Sequence, residues 1–161
     1  MKTVDQSLFT DLHAKSAASP RGRSHFNLHP SVEADIHRLV MSAQPNSYVR
    51  PHRHARNDKW ELLVILHGEV TLLTFDDNGT VTGRFDLRPG GETVAVEIPE
   101  NTLHCFVARQ ADSAVIEVKR GPYVAPVETD FAPWAPAEND PAAPAFLARL
   151  KNVVAGDNLA R

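Results

Sequence analysis

The chain has little cysteine: one residue, Cys105, in 161. A single thiol excludes an internal disulfide framework and suits a reducing compartment. Long apolar runs are also missing. The stretch "LLVIL" at residues 62–66 is far shorter than the roughly 18 apolar residues of a membrane-crossing helix. The N-terminus, "MKTVDQSLFTDLH", lacks the apolar core of a signal peptide, so the expected location is cytoplasmic, with no membrane partner. Positive charge is not in excess either. Seventeen Lys and Arg against twenty Asp and Glu give a net charge of -3, which supplies no general attraction for nucleic acid. The expected partner is a small molecule. Internal repeats are absent.

Hydrophobic residues make up 42% of the chain, enough for the single core that this length can bury. One domain is expected, organised as an N-terminal helix and extension over 1–37, a barrel over 38–123 and a Pro/Ala-rich tail over 124–161. In residues 5–18, Leu8, Phe9 and Leu12 recur at helical spacing behind Asp5 as N-cap, and "SPRG" ends the pattern. From residue 38 onward the signals are those of strands. Turn residues in "QPNS", "FDDNGT", "RPGGE", "IPEN" and "RQADS" divide the sequence into strands at 38–44, 47–53, 60–67, 69–75, 80–88, 93–98, 103–109 and 114–119. Asn78-Gly79 suits a hairpin turn. Eight short strands predict an all-β jelly-roll barrel. The tail cannot form a second core by itself and reads as a wrapping segment. Within it Phe146, Leu147, Leu150, Val153 and Val154 share a helical face before Gly156, so a short helix should dock on the barrel or on a second copy in a homodimer.

The stretch "PHRHARNDKWELLVILHG", residues 51–68, carries the chemistry. Imidazole and carboxylate are costly to bury unless something pairs with them, and a cation is a common partner for such a cluster. Residues two apart on a strand share a face, so His52 and His54 point to one side, where Glu61 can meet them at the start of the next strand. His104 follows the turn Pro99-Glu100-Asn101 and supplies the third imidazole. Three imidazoles and a carboxylate suit one divalent transition metal, and zinc, iron, nickel, cobalt and manganese all accept such ligands. Asp58 is the alternative carboxylate. Glu61 is better placed, because Asp58 in "ARND" has turn chemistry of its own. For His13, His25, His37 and His67 a structural role is the simpler reading, and Cys105, next to His104, should pack on the opposite side of the sheet.

The pattern His52-x-His54, Glu61 with Gly68 seven residues later, and Pro99-x-Asn101-x-x-His104 resembles the two metal motifs of the cupin superfamily. "SPRGR" followed by "NLH", then "YVRPHRH", "KWELLVILHGEV", "VEIPENTLH", "EVKRGPY" and "DFAPWAP", resemble the WbuC-type cupin-fold metalloproteins over about residues 15–138. The resemblance implies a cupin barrel, a bound divalent metal and an association with bacterial surface-polysaccharide gene sets, without an established reaction. Two departures stand out. His54 and Glu61 lie further apart than in many cupins, and Asn46 and Asn101 replace frequent glycines, which asparagine's tolerance of left-handed geometry allows.

Alternation nominates the pocket. Arg50, Lys59, Thr102 and Phe106 stand two residues from a ligand and can face the cavity. Two cations beside a metal would favour an anionic ligand, although solvated strand-end charges explain Arg50 and Lys59 equally well. Arg21, Arg23 and Asn27 could close over the barrel mouth, His29 could reach the pocket, and Tyr123 and Trp134 could line it from the tail. Two classes of function fit: a metal-dependent enzyme acting on a small polar substrate such as a sugar or sugar nucleotide, or a module that holds an anionic metabolite without turnover.

Overall fold

Alternation along β3, Glu61–His67, sets the inside of the barrel: Glu61, Leu63 and Ile65 are buried while Leu62, Val64 and Leu66 are only partly so. The same rule applies to β8, Ser113–Arg120, which pairs with β3 so that Leu63 faces Glu117 and Glu61 faces Lys119. The computed structural model describes residues 1–54 and 58–160. Its remaining strands are β1 Arg23–Asn27, β2 Ile36–Ala43, β4 Val70–Phe75, β5 Val81–Leu87, β6 Ala95–Ile98 and β7 Leu103–Ala108. They form a five-stranded sheet in the order β1-β2-β8-β3-β6 and a three-stranded sheet in the order β5-β4-β7. All pairings between these strands are antiparallel. The result is the expected jelly-roll barrel.

Two apolar clusters follow from this topology. Between the sheets lie Leu63, Ile65, Val70, Leu72, Leu87, Phe106 and Val115. On the other face of the three-stranded sheet, Leu73, Phe75, Cys105 and Val107 pack with Phe146, Leu147, Leu150 and Val153. Helix α2, Ala143–Leu150, therefore docks on its own barrel, and the tail completes a second cluster that it could not build alone. Val154 does not belong to that face, being 58% exposed beyond the helix end. Helix α1, Gln6–Ala18, begins as expected at Asp5, whose carboxylate accepts from the Leu8 N–H. It lies against β2, where Ser16 and His13 hydrogen-bond the Ser42 hydroxyl.

Two strand expectations need correction. Residues 47–53 do not run in a ladder; only His52 pairs, in isolated bridges to His104 and Phe131. Pro51 has no N–H to give a neighbouring strand, and the backbone instead ties β7 to the tail. The His52 N–H donates to the His104 carbonyl and the His104 N–H returns the bond, while Arg53 donates to Asp130 and Ala132 donates to Pro51. The eighth strand is β1, "RSHFN", an edge strand with largely exposed side chains and therefore no apolar alternation to betray it. At the β4–β5 hairpin only Gly79 takes positive φ, and the Asp76 carboxylate closes the turn on the N–H groups of Asn78 and Thr80. Gly68 has φ +69, and a Cβ there would stand 2.6 Å from the Ser113 hydroxyl, so the position requires glycine.

Candidate metal centre

His104 sits at the start of β7 because Asn101, at φ 59, turns the chain after Pro99. Its neighbour Cys105 faces the opposite cluster, where burial pushes the thiol pKa up and keeps it inert. His52 reaches the same place through its paired bonds to His104, and ring nitrogens of His52, His54 and His104 all lie within 4.8 Å of one another. Glu61 enters from β3. Its Oε2 is 3.2 Å from His104 Nε2 and its Oε1 is 2.8 Å from His54 Nε2. Asp58 takes positive φ in a turn and is exposed, so Glu61 is the carboxylate of this cluster. Residues 55–57 of the connecting loop lie outside the described residues.

The hydrogen bonds fix which nitrogens are available. His52 Nδ1 lies 2.9 Å from the Arg50 carbonyl, and His104 Nδ1 lies 2.8 Å from the Thr102 carbonyl. A carbonyl can only accept, so both Nδ1 atoms carry hydrogen and each ring offers its Nε2 lone pair. Burial holds the His52 pKa down to about 3, aided by the neighbouring His104. For His104, burial pulls downward but the Glu61 carboxylate outweighs it, and the pKa rises. For Glu61, burial pushes upward but the hydrogen bond with His104, the close approach of His54 and the Lys119 charge win, holding its pKa well below the usual value. His54 Nε2 is buried and, despite its closeness to Glu61, has no hydrogen-bond partner among the described residues. Acceptors therefore face acceptors, an arrangement that a proton or a cation must reconcile. The donor set fits a divalent metal, which His52, His54, His104 and Glu61 would hold.

This cluster opens on a cavity of about 310 Å³. Arg21, Arg23, Arg50, Lys59, Phe106 and Tyr123 line it, as the sequence suggests. Their charges, however, are engaged. Arg50 bonds the carbonyls of Ala132 and Ala135 and pairs with Glu128 at 2.9 Å, while lying over the Phe131 ring. Lys59 caps the carbonyls of residues 120–122, and Arg21 and Arg23 both bind Glu138. These cations pin the tail across the mouth. Four expectations fail. Asn27 is exposed on β1 and His29 is buried against Arg38 and stacked on His37, and neither lines the cavity. Thr102 acts through its carbonyl rather than its side chain. Trp134 also stays outside, packed on Phe75 and Phe146.

Sequence reasoning missed Glu117 and Lys119. Lys119 Nζ is 3.1 Å from Glu61 and 2.6 Å from Glu117. Burial lowers its pKa, but the two carboxylates outweigh that and raise it, so it stays charged. Burial and the Glu61 charge raise the Glu117 pKa, partly opposed by Lys119. The signal was legible: "VIEVKR" places charges two apart on the inward face of a strand.

A family model described as a domain of unknown function, DUF6016, matches residues 4–87, just over half of the chain. The chain belongs to this family. The matched range of the DUF6016 chain holds His52, His54 and Glu61 and stops before His104. No curated protein matches the sequence. Among solved structures, KdgF from Halomonas sp. aligns with a TM-score of 0.51 at 20% identity, covering 66% of this chain and 85% of that one. The DMSP lyase DddQ from Ruegeria pomeroyi DSS-3 gives 0.51 at 21% identity, covering 65% and 50%. Procruciferin, an 11S globulin from Brassica napus, gives 0.51 at 20% identity, covering 65% and 26%. At these identities the likeness shows the cupin fold alone. A lyase and a globulin share it, so function has to be argued from the site.

Proposed function

We propose that the protein is a divalent-metal-dependent enzyme acting on a small, polar, acidic substrate, with His52, His54, His104 and Glu61 as the metal ligands. The observation that carries this is the convergence of three imidazoles and one carboxylate, acceptor against acceptor, at the wall of a cavity large enough for a small molecule. A bound metal would supply Lewis acidity toward substrate oxygens. The chain's own residues do the rest. The carbonyls of Arg50 and Thr102 hold the rings of His52 and His104 in one tautomer, and Lys119 restrains Glu61 from the β8 side. The tail residues Tyr123 and Phe131 narrow the entrance and exclude water from one side.

Support for an acidic substrate is the charge that a divalent metal would bring; Lys119 is taken up by Glu61 and Glu117, and Arg50 and Lys59 hold the mouth in shape. A sugar or sugar-nucleotide substrate in the cytoplasm, linked to surface-polysaccharide assembly, follows from the WbuC-type sequence blocks. The test is to load apo protein separately with zinc, iron(II), manganese and nickel and to screen sugar acids and sugar nucleotides for binding and turnover, with and without oxygen. Turnover that depends on metal identity more than affinity does supports the enzyme. Tight binding in every form with no product in any would make the protein a metabolite-binding module instead.

A further inference from the structure

The outer face of the five-stranded sheet carries an apolar strip that neither buried cluster absorbs. Alternation along β8 turns Glu117 and Lys119 inward and Ile116 and Val118 outward, and along β3 it sets Leu62 and Val64 outward beside them. All four are only half-buried and belong to neither apolar cluster. Helix α1 packs on β1 and β2, and helix α2 on the three-stranded sheet, so neither lies over this strip. An antiparallel sheet with one solvated face ordinarily alternates apolar inside and polar outside, and four branched aliphatics on the outside call for a cover.

The strand register points to what that cover is. Arg38 on β2 stands opposite Val118, Val118 opposite Leu62, and Leu62 opposite Glu97 on β6, so one row crosses four strands as cation, apolar, apolar, anion. The next outward row, Val40, Ile116, Val64 and Ala95, carries no charge. Arg38 and Glu97 are exposed, and neither side chain has an ion-pair or hydrogen-bond partner among the described residues. Such a row is complementary to itself. A two-fold axis parallel to the strands and midway between β8 and β3 lays Val118 on Leu62 of a second copy and Ile116 on its Val64, and it brings each Arg38 to Glu97 of the other copy. An axis running across the strands would set Arg38 against Arg38 and Glu97 against Glu97, which like-charge repulsion opposes.

We infer that the chain forms a two-fold dimer through the outer face of its five-stranded sheet, with Leu62, Val64, Ile116 and Val118 at the centre and an Arg38–Glu97 pair on either side. Helix α2, the sequence's candidate for a contact with a second copy, is taken up by its own barrel. The cavity lies on the inner side of the same sheet, so the dimer stands or falls independently of the metal reading.

The test is sedimentation velocity of the full chain across micromolar concentrations. Wild type should pass from monomer to dimer as concentration rises and stop at two, because a two-fold contact closes on itself. Val118→Asp should remain monomeric, since it buries a carboxylate with no partner at the centre of the contact. Arg38→Glu and Glu97→Arg each oppose like charges twice per dimer and should weaken association by at least about tenfold. Mixing those two variants in equal amounts should restore the dimer, because both contacts of the mixed pair are then opposite in sign. The two charge variants alter exposed side chains, so they carry the test if Val118→Asp fails to melt cooperatively. Wild type that stays monomeric throughout leaves the strip to a different protein and overturns the inference, as does assembly beyond two. A dimer that survives a folded Val118→Asp, or charge variants that dimerise alone or fail to recover on mixing, overturns it as well.

Discussion

On one face of β7, Cys105 and Val107 pack with Leu73, Phe146 and Leu150; on the other, His104 and Phe106 line the cavity that Glu61 and Glu117 share. The first face is built by excluding water. Among its polar groups the Tyr48 hydroxyl donates to the Pro136 carbonyl, while the Trp134 indole N–H is buried without a hydrogen-bond partner among the described residues. The second keeps imidazole and carboxylate lone pairs close together and two buried acids held by one ammonium. A single strand thus divides the work, with stability on its outer side and ligand chemistry on its inner side. Substitutions on the two sides should fail in different ways.

The largest separation should come from the ligands. Replacing His52, His54 and His104 together with Ala should abolish stoichiometric metal by elemental analysis, while each single change should weaken affinity by about a hundredfold or more, since even groups that only support a ligand are worth 10–100-fold. The barrel of the triple variant should still melt cooperatively. A triple variant with full metal would remove the site. Next, Leu150→Ala, fully buried in the outer cluster, should cost about 2–5 kcal/mol of stability and leave metal content intact. Loss of metal at temperatures where that variant remains folded would show that the two faces are coupled.

A finer comparison is within the carboxylates. Glu61→Gln should lower metal affinity clearly, whereas Asp58→Asn should change it by less than a factor of about two, because only Glu61 touches the imidazoles. The reverse order would move the ligand to the loop. Acidification gives a further separation: the raised pKa of His104 makes its imidazole take a proton as the pH falls well before His52, held down to about 3, so proton competition at His104 should release metal first. The near-ultraviolet circular dichroism of Trp134 and Tyr48 should persist through that release. The smallest effect expected is at Tyr48→Phe, which removes one hydrogen bond to the tail and should cost about 1 kcal/mol.

How much of this was legible depended on alternation. Where an apolar run was bounded by turn residues, as in β3, β4 and β7, the sequence located the strand within a residue or two at most ends, and the ligand trio followed from two-residue spacing and one turn. β1 escaped because an exposed edge strand has no apolar period to read. The segment around His52 was misjudged as a strand because its side chains alternate although its hydrogen bonds do not. Arg50 and Lys59 line the cavity, one of the two readings the sequence left open, but a sequence cannot tell that their charges meet backbone carbonyls 62 and 85 residues away. Glu117 and Lys119 were readable in principle, since charges at inward positions of a core strand require a reason.

The clamp between the His52 segment and the tail also sets an order of events in biosynthesis. His52, His54 and Glu61 leave the ribosome long before His104 can pair with His52, and before Asp130 and Ala132 can take up their bonds to Arg53 and Pro51. A nascent chain therefore displays an incomplete ligand set and no enclosing mouth. The cluster is complete only once His104 has been made, and its mouth is tied only when residues 130–132 follow.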